Sequence, residues 1–251
     1  MRLDSYLLEK GFFDSRTKAK QAVERGEILI NGKKILKSAY EINEFMDYKI
    51  DYVATESYVS LGGYKLKKAL IDFDFSVQNL VCADLGSSTG GFTDCLIKNG
   101  AKYVYAVDLN DTLLHKSLRK NPKVNYLIKN VKDLIKDDFN EEIDLVTVDL
   151  SFISSTVIFD RLKNILTSGK YIILLIKPQF ESDKKMSFKN GIIKDDKIRF
   201  SRAEKVINKA IEYGFYPQKF TSAPISQEKN VEYLVLLQNG VKSSFNLKEY
   251  F

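Results

Sequence analysis

Val81-Cys-Ala-Asp84-Leu-Gly86-Ser-Ser-Thr-Gly90-Gly91-Phe92-Thr-Asp94 is the stretch that decides the fold of this 251-residue chain. An apolar run, Leu80 to Ala83, ends at Asp84, a Gly/Ser turn follows, and helix-compatible residues resume at Phe92. The order is strand, tight loop, helix. Gly86, Gly90 and Gly91 lack a Cβ, so backbone N–H groups at the helix N-terminus can approach a ligand. Gly86 and Gly91 have the spacing of a phosphate loop, but Phe92 stands where the phosphate-binding lysine belongs. Ser88 occupies the second glycine position of a dinucleotide site, which keeps the backbone from a pyrophosphate. A second carboxylate, Asp108, ends the next apolar run, Tyr103 to Val107. Two strand-terminal carboxylates and a glycine turn suit a cationic nucleoside such as S-adenosylmethionine. A turn that merely joins strand to helix stays open as the alternative.

Outward from this stretch, apolar runs alternate with helical patterns. Strands are expected at Tyr103–Val107, Val124–Ile128, Leu145–Val148, Tyr171–Ile176, Tyr216–Thr221 and Tyr233–Leu237. Helices are expected after Gly62-Gly63 and near Gly91–Asn99, Leu113–Arg119, Ser155–Leu166 and Arg199–Tyr213. Such alternation predicts an α/β sandwich around a mostly parallel sheet, with ligands at the carboxyl ends of the strands. Asp84, Asp108, Asp149 and Lys177 all fall at such ends. Lys177 directly follows six apolar residues, and Pro178 confines it to extended backbone. A buried lysine with a second cation nearby loses its proton more readily and can act as a base. A lysine that only snorkels at a strand terminus is the competing reading.

Composition narrows the classes. With 44 % hydrophobic and 29 % charged residues the chain reads as globular, long enough for one domain plus a small module. Its longest aliphatic stretch, Ile172 to Ile176, is far short of the roughly 20 residues that cross a bilayer. Met1 to Lys10 carries charges where a signal peptide is apolar, so a cytoplasmic location is expected. Cys82 and Cys95 have no CxxC or Cys/His partners, so neither disulfide nor metal is expected. Net charge is +6, favouring a polyanionic partner. From Lys10 to Lys37 eight basic residues, Arg25 among them, oppose three acidic ones, and Glu41, Glu44, Asp47, Asp51 and Glu56 then reverse the sign.

The basic stretch has its own pattern. Leu3, Leu7 and Leu8 recur at helical spacing up to Gly11, and Ser15 caps a second helix whose apolar face is Ala19, Ala22 and Val23. Ile28-Leu-Ile is a short strand turned by Asn31-Gly32. Arg16, Lys20, Lys33 and Lys34 line one side of this module, for phosphate contacts or as plain solvated residues. Arg2-Leu-Asp, Leu7, Gly11, Ser15-Arg16, Ala19, Gly26 and Ile28 to Lys33 resemble the S-four-like RNA-binding domain. That resemblance implies RNA binding by residues 1–54, Arg2 included, with residues 55–60 as linker and 61–251 as a second domain.

Methyl transfer to other nucleophiles leaves marks that are absent. Neither cysteine follows a proline, as a cytosine-C5 transferase requires, and Asp149 is followed by Leu-Ser-Phe152 instead of the Pro-Pro-aromatic of most amino-group transferases, although the shared acid and Phe152 leave amino-group transfer open. The whole chain resembles the TlyA family, in which an S-four-like domain precedes an FtsJ-like ribose methyltransferase domain of Rossmann-like α/β fold. The motifs are Gly62-Gly63-Tyr-Lys65-Leu, the opening stretch, Val148-Asp149-Leu-Ser-Phe-Ile153, Lys177-Pro-Gln-Phe-Glu181, Ser222-Ala-Pro-Ile225 and Asn230-Val-Glu232-Tyr. The resemblance implies a Lys65, Asp149, Lys177 and Glu232 tetrad, with Lys177 activating a ribose 2′-OH, Asp149 pairing with it, and Lys65 and Glu232 orienting the nucleotide. It further implies an S-adenosylmethionine pocket of Asp84, Gly86, Ser87, Ser88, Gly90 and Phe92, with Asp108 on the ribose and Asn130-Val131 near adenine. The implied substrate is a cytidine of ribosomal RNA. Because little precedes Arg2, the shorter subtype and the large-subunit target are favoured. Leu61 stands where many relatives have arginine, which puts a linker contact in doubt, and His115 belongs to none of the motifs. A non-catalytic RNA-binding factor and a membrane-active haemolysin, a label attached to this family, are the alternatives.

Overall fold

The computed structural model describes residues 1–24, 26–52, 57–181, 191–224 and 230–251. Arg25 of the basic run, residues 53–56 at the expected domain end and linker, and Ile225 of the Ser222 motif lie outside them. The chain forms two compact units, Met1–Ser57 and Tyr58–Phe251.

In the first unit, α1 (Leu3–Glu9) and α2 (Arg16–Glu24) pack beside a sheet of order β2-β1-β3, formed by β1 (Ile28–Ile30), β2 (Lys33–Lys34) and β3 (Ile50–Tyr52). Asn31 and Gly32 both have positive φ, 51° and 74°, as a two-residue hairpin turn requires. Leu3, Tyr6, Leu7, Ala19, Ala22, Val23 and Ile28 make the core. Leu8, expected on the apolar face, is exposed: one residue beyond Leu7, it has rotated about 100° off the buried stripe.

The second unit is built on seven strands: β4 (Val81–Leu85), β5 (Tyr103–Asp108), β6 (Val124–Ile128), β7 (Leu145–Val148), β8 (Tyr171–Ile176), β9 (Phe215–Ser222) and β10 (Tyr233–Asn239). Their order is β6-β5-β4-β7-β8-β10-β9. The first five pair in parallel, and β10 runs antiparallel to both β8 and β9. Alternation along the strands serves two cores. Val81, Ala83, Leu85, Val146, Val148, Ile172, Leu174 and Ile176 enter one with α6 (Phe159–Ile165) and α7 (Asp196–Glu212). Cys82, Leu145, Ile173 and Leu175 enter the other with α3 (Gly62–Asp72) and α4 (Gly91–Lys98). A sheet covered on both faces reads as continuous apolar runs. The fold is therefore an α/β, Rossmann-like sandwich preceded by a small α+β unit.

Three elements differ from expectation. The helix expected from Leu113 is confined to α5 (Lys116–Arg119), because His115, at φ −57° and ψ 140°, serves as its N-cap and accepts from Ser117 N. The helix expected over Ser155–Leu166 begins as a 3₁₀ turn, Ser155–Ile158, before continuing as α6. Residues 58–60, expected as linker, are built into the second unit: Val59 N donates to Asp94 Oδ2 at 2.9 Å, and Tyr58 packs edge-on to Tyr64 at 5.0 Å. Tyr58 covers Gly63, where an added Cβ would lie 2.3 Å from its ring.

Candidate active site

The loop after β4 folds back on β5. Gly86 and Ser87 N–H groups both donate to Val107 O, at 2.9 and 3.0 Å. Gly86 has φ +79°, and a Cβ there would lie 2.6 Å from Asp149 O. Gly90, at φ +95°, would place one 2.3 Å from Leu118. Neighbouring chain packs where a side chain at either glycine would stand, so both positions need glycine for packing. Ser88 also has positive φ, 50°, and its N–H donates to Asp108 Oδ2 at 2.8 Å. Ser87 Oγ is buried with no hydrogen-bond partner, an open polar group on the loop.

Two residues of the expected cofactor pocket, Asp84 and Phe92, are buried. Asp84 shares the sheet face of Cys82 and is fully buried, accepting from Thr93 Oγ1 at 2.6 Å and Thr147 Oγ1 at 2.9 Å. Burial pushes its carboxyl up to about 6, against the pull of both threonines. Phe92 is 3 % exposed and packs with Leu66 in the α3–α4 core. Phe92 points inward because it stands in the first turn of α4, against Gly62 of α3. Asn130 caps a short turn, its Oδ1 accepting from Lys132 N at 3.0 Å, and Val131 is buried in the other core.

At the carboxyl ends of β7, β8 and the start of β10 the four tetrad residues form two lysine–carboxylate pairs. Lys177 Nζ lies 2.5 Å from Asp149 Oδ1 and donates to Ser151 Oγ at 2.7 Å. Asp149 is aimed by its own N–H, which donates to Leu85 O at 3.0 Å. Lys65, in the first turns of α3, lies 2.5 Å from Glu232 Oε2. Tyr233 pairs with Ile176, so Glu232 comes level with Lys177 from the opposite direction. Gln179 Nε2 donates to Glu232 Oε1 at 3.4 Å. Both pairs are partly buried, where salt screens them less than at an open surface.

Sequence reasoning missed three contacts around the two pairs: Ser151 with Lys177, Gln179 with Glu232, and Phe152 with Phe180. Ser151 and Gln179 lie inside quoted motifs, but their contacts depend on the strand register. Phe152 is 87 % exposed, has φ +69°, and sets its ring 5.3 Å from that of Phe180. A bulky residue in left-handed backbone is strained, and such strain clusters at functional sites.

In the first unit Arg2 and Arg16 converge on buried Asp4: Arg2 Nη2 is 2.9 Å and Arg16 Nε 3.3 Å from Asp4 Oδ2. Burial alone would raise the Asp4 carboxyl, but hydrogen bonds from the two arginines hold it below its ordinary value. Lys20 lies 3.7 Å from Glu24, an exposed pair worth little. Lys33 and Lys34 both stand exposed on β2.

A family model described as FtsJ-like methyltransferase matches residues 58–239, and one for the S4 domain matches residues 1–47. Hemolysin A of Brachyspira hyodysenteriae is 42 % identical, covering 93 % of this chain and 98 % of its own. The 16S/23S rRNA (cytidine-2'-O)-methyltransferase TlyA of Mycobacterium tuberculosis (strain ATCC 25618 / H37Rv) is 31 % identical over 98 % of this chain and 93 % of its own. A solved structure from Streptococcus thermophilus, under a hemolysin label, is 33 % identical with a TM-score of 0.73, covering 99 % of this chain and 93 % of that one. Both modules match in order along one chain, and relatives align across nearly all of it, so the chain belongs to the TlyA family, an S4 domain joined to an FtsJ-like methyltransferase domain.

Proposed function

We propose that this protein methylates the 2′-hydroxyl of a cytidine in ribosomal RNA, using S-adenosylmethionine. The observation that carries the reading is the pairing of Lys177 with Asp149 and of Lys65 with Glu232 at the strand ends next to the glycine loop. The loop fits the cofactor: buried Ser87 Oγ lacks a partner, and the Asp108 carboxylate stands beside Ser88 at the rim. When bound, S-adenosylmethionine supplies a methyl group activated by its sulfonium charge.

A ribose hydroxyl attacks poorly until its proton is removed. Lys177 Nζ takes that proton, and it must first be uncharged. The proton Lys177 sheds beforehand leaves to water, and the Asp149 carboxylate, 2.5 Å away, balances the ammonium that Lys177 becomes on taking the hydroxyl proton. Lys65 and Glu232 orient the nucleotide, and the exposed ring of Phe152 offers a face for its base. Arg2, Arg16, Lys20, Lys33 and Lys34 meet phosphates, which sets position without reading sequence.

The name of the Mycobacterium relative includes both 16S and 23S rRNA, so the test uses both subunits. Isolated small and large subunits are incubated with the protein and labelled cofactor, and the modified nucleotide is mapped by mass. A new ribose methyl on one cytidine is expected, in the large-subunit or the small-subunit RNA. An unchanged methylation pattern in both subunits would sink the reading.

A further inference from the structure

Glu181 is 2 % exposed, yet the ion pairs of the tetrad do not use it. It follows Lys177 by four residues, after the 3₁₀ turn Pro178–Phe180. Its Oε1 accepts from Ser155 N at 2.9 Å and Ser155 Oγ at 2.7 Å, and its Oε2 accepts from Ser154 Oγ at 2.5 Å. Ser154 and Ser155 close the loop that begins at Asp149 and carries Ser151 and Phe152. Arg202, from α7, holds the other side of the same turn, donating to Pro178 O at 2.7 Å. Burial pulls the Arg202 guanidinium below its ordinary range, and the Glu181 carboxylate works against that pull.

Segments 149–155 and 177–181 are therefore joined at three points. Lys177 meets Asp149 at one end, Phe180 meets Phe152 in the middle, and Glu181 meets Ser154 and Ser155 at the other end. A buried carboxylate needs several donors to be tolerated, and the three among the described residues come from one loop. Strained backbone persists only where its surroundings over-determine it. Phe152 is the strained residue, and Glu181 ties down the loop just beyond it.

We infer that Glu181 is a positioning residue: by fastening Ser154 and Ser155 to the Lys177 turn, it holds the Phe152 ring and the Lys177 amine in one fixed relation. This inference rests on the methyltransferase reading for its effect on rate, but not for its effect on the loop. E181Q keeps the side-chain shape while removing the charge that draws three donors. Full-length E181Q should bind S-adenosylmethionine within about twofold of the parent and melt close to it. Its kcat on ribosomal subunits should fall about ten- to a hundredfold, with a much smaller change in KM, as expected when reacting groups are misplaced. Combined with F152A, the E181Q loss should be smaller than in the parent, because both changes act on one relation.

The chain has no tryptophan, so F152W provides a single fluorescent reporter on the loop. Adding E181Q should lower its anisotropy and raise its quenching by acrylamide. If E181Q does not fold, S155A with S154A carries the same expectations. Unchanged anisotropy, a parental kcat, or losses that multiply with F152A would each overturn the proposal. A parent protein that methylates no subunit would reject the methyltransferase reading instead, with the fluorescence result still deciding the role of Glu181.

Discussion

At Lys177 a buried ammonium meets two acceptors, Asp149 at 2.5 Å and Ser151 at 2.7 Å. Neither belongs to the glycine loop, so the proposed base and the proposed cofactor loop separate at the level of single side chains. K177A should lower methyl transfer by a factor of about 10² to 10⁴, the range of a lost general base, while calorimetry finds cofactor affinity nearly intact. Retained turnover would remove Lys177 from that role. Lys177 is legible in the sequence because six apolar residues and a proline frame it. Asp84 and Phe92 are buried for an equally local reason. The glycine motif says that a ligand is near, but the alternation of β4 and the first turn of α4 send these two side chains inward. Phe152 can be named from its motif, but its positive φ depends on a loop fastened at both ends.

Among elements, β4 and α4 carry two further predictions. The carboxyl of Asp84, raised to about 6 by burial, favours the folded state in its protonated form. Its contribution is complete below its ordinary 3.8 and is lost as pH rises through about 6. From the size of the shift, the loss amounts to about 3 kcal/mol. Urea unfolding of D84N between pH 4 and 7 should lack this slope, leaving a flatter profile than the parent's. At the start of α4, a Cβ on Gly91 would lie 2.3 Å from Ser60 Oγ and 2.8 Å from Gly63 N. Backbone cannot yield as a side chain can, so G91A should destabilise by about 1–3 kcal/mol. It should also slow methylation, because α3 carries Lys65 just beyond Gly63. A parental melting temperature for G91A would contradict this packing. Strands β6, β7 and β8 match their expected bounds because each is a compact run closed by polar residues. The start of α5 depends on a histidine acting as a cap, and β3 in the first unit is not legible, because an acidic segment gives little strand signal.

At the scale of the whole molecule, two units of unequal size divide RNA binding from chemistry in the proposed function. The basic residues of the first unit are not equivalent: Arg2 and Arg16 are held by Asp4, whereas Lys33 and Lys34 stand exposed on a two-residue strand. K33A with K34A should therefore weaken RNA binding without changing the melting temperature. The slope of log affinity against log salt should fall by about one for each phosphate left without its lysine, and an unchanged slope would place RNA elsewhere. Among the described residues no helix is long and apolar enough to cross a membrane. The order of modules is legible because each carries a complete local pattern; the closure of the Lys65–Glu232 pair is not, since it needs the pairing of β10 with β8. Those two partners stand 167 residues apart, one at the start of the second unit and the other on the threshold of its last strand. The glycine loop and both lysines of the proposed tetrad thus precede Glu232 along the chain. Glu232 meets Lys65 only through the pairing of β10 with β8, so the two halves of the candidate site are closed by contacts between distant parts of the chain.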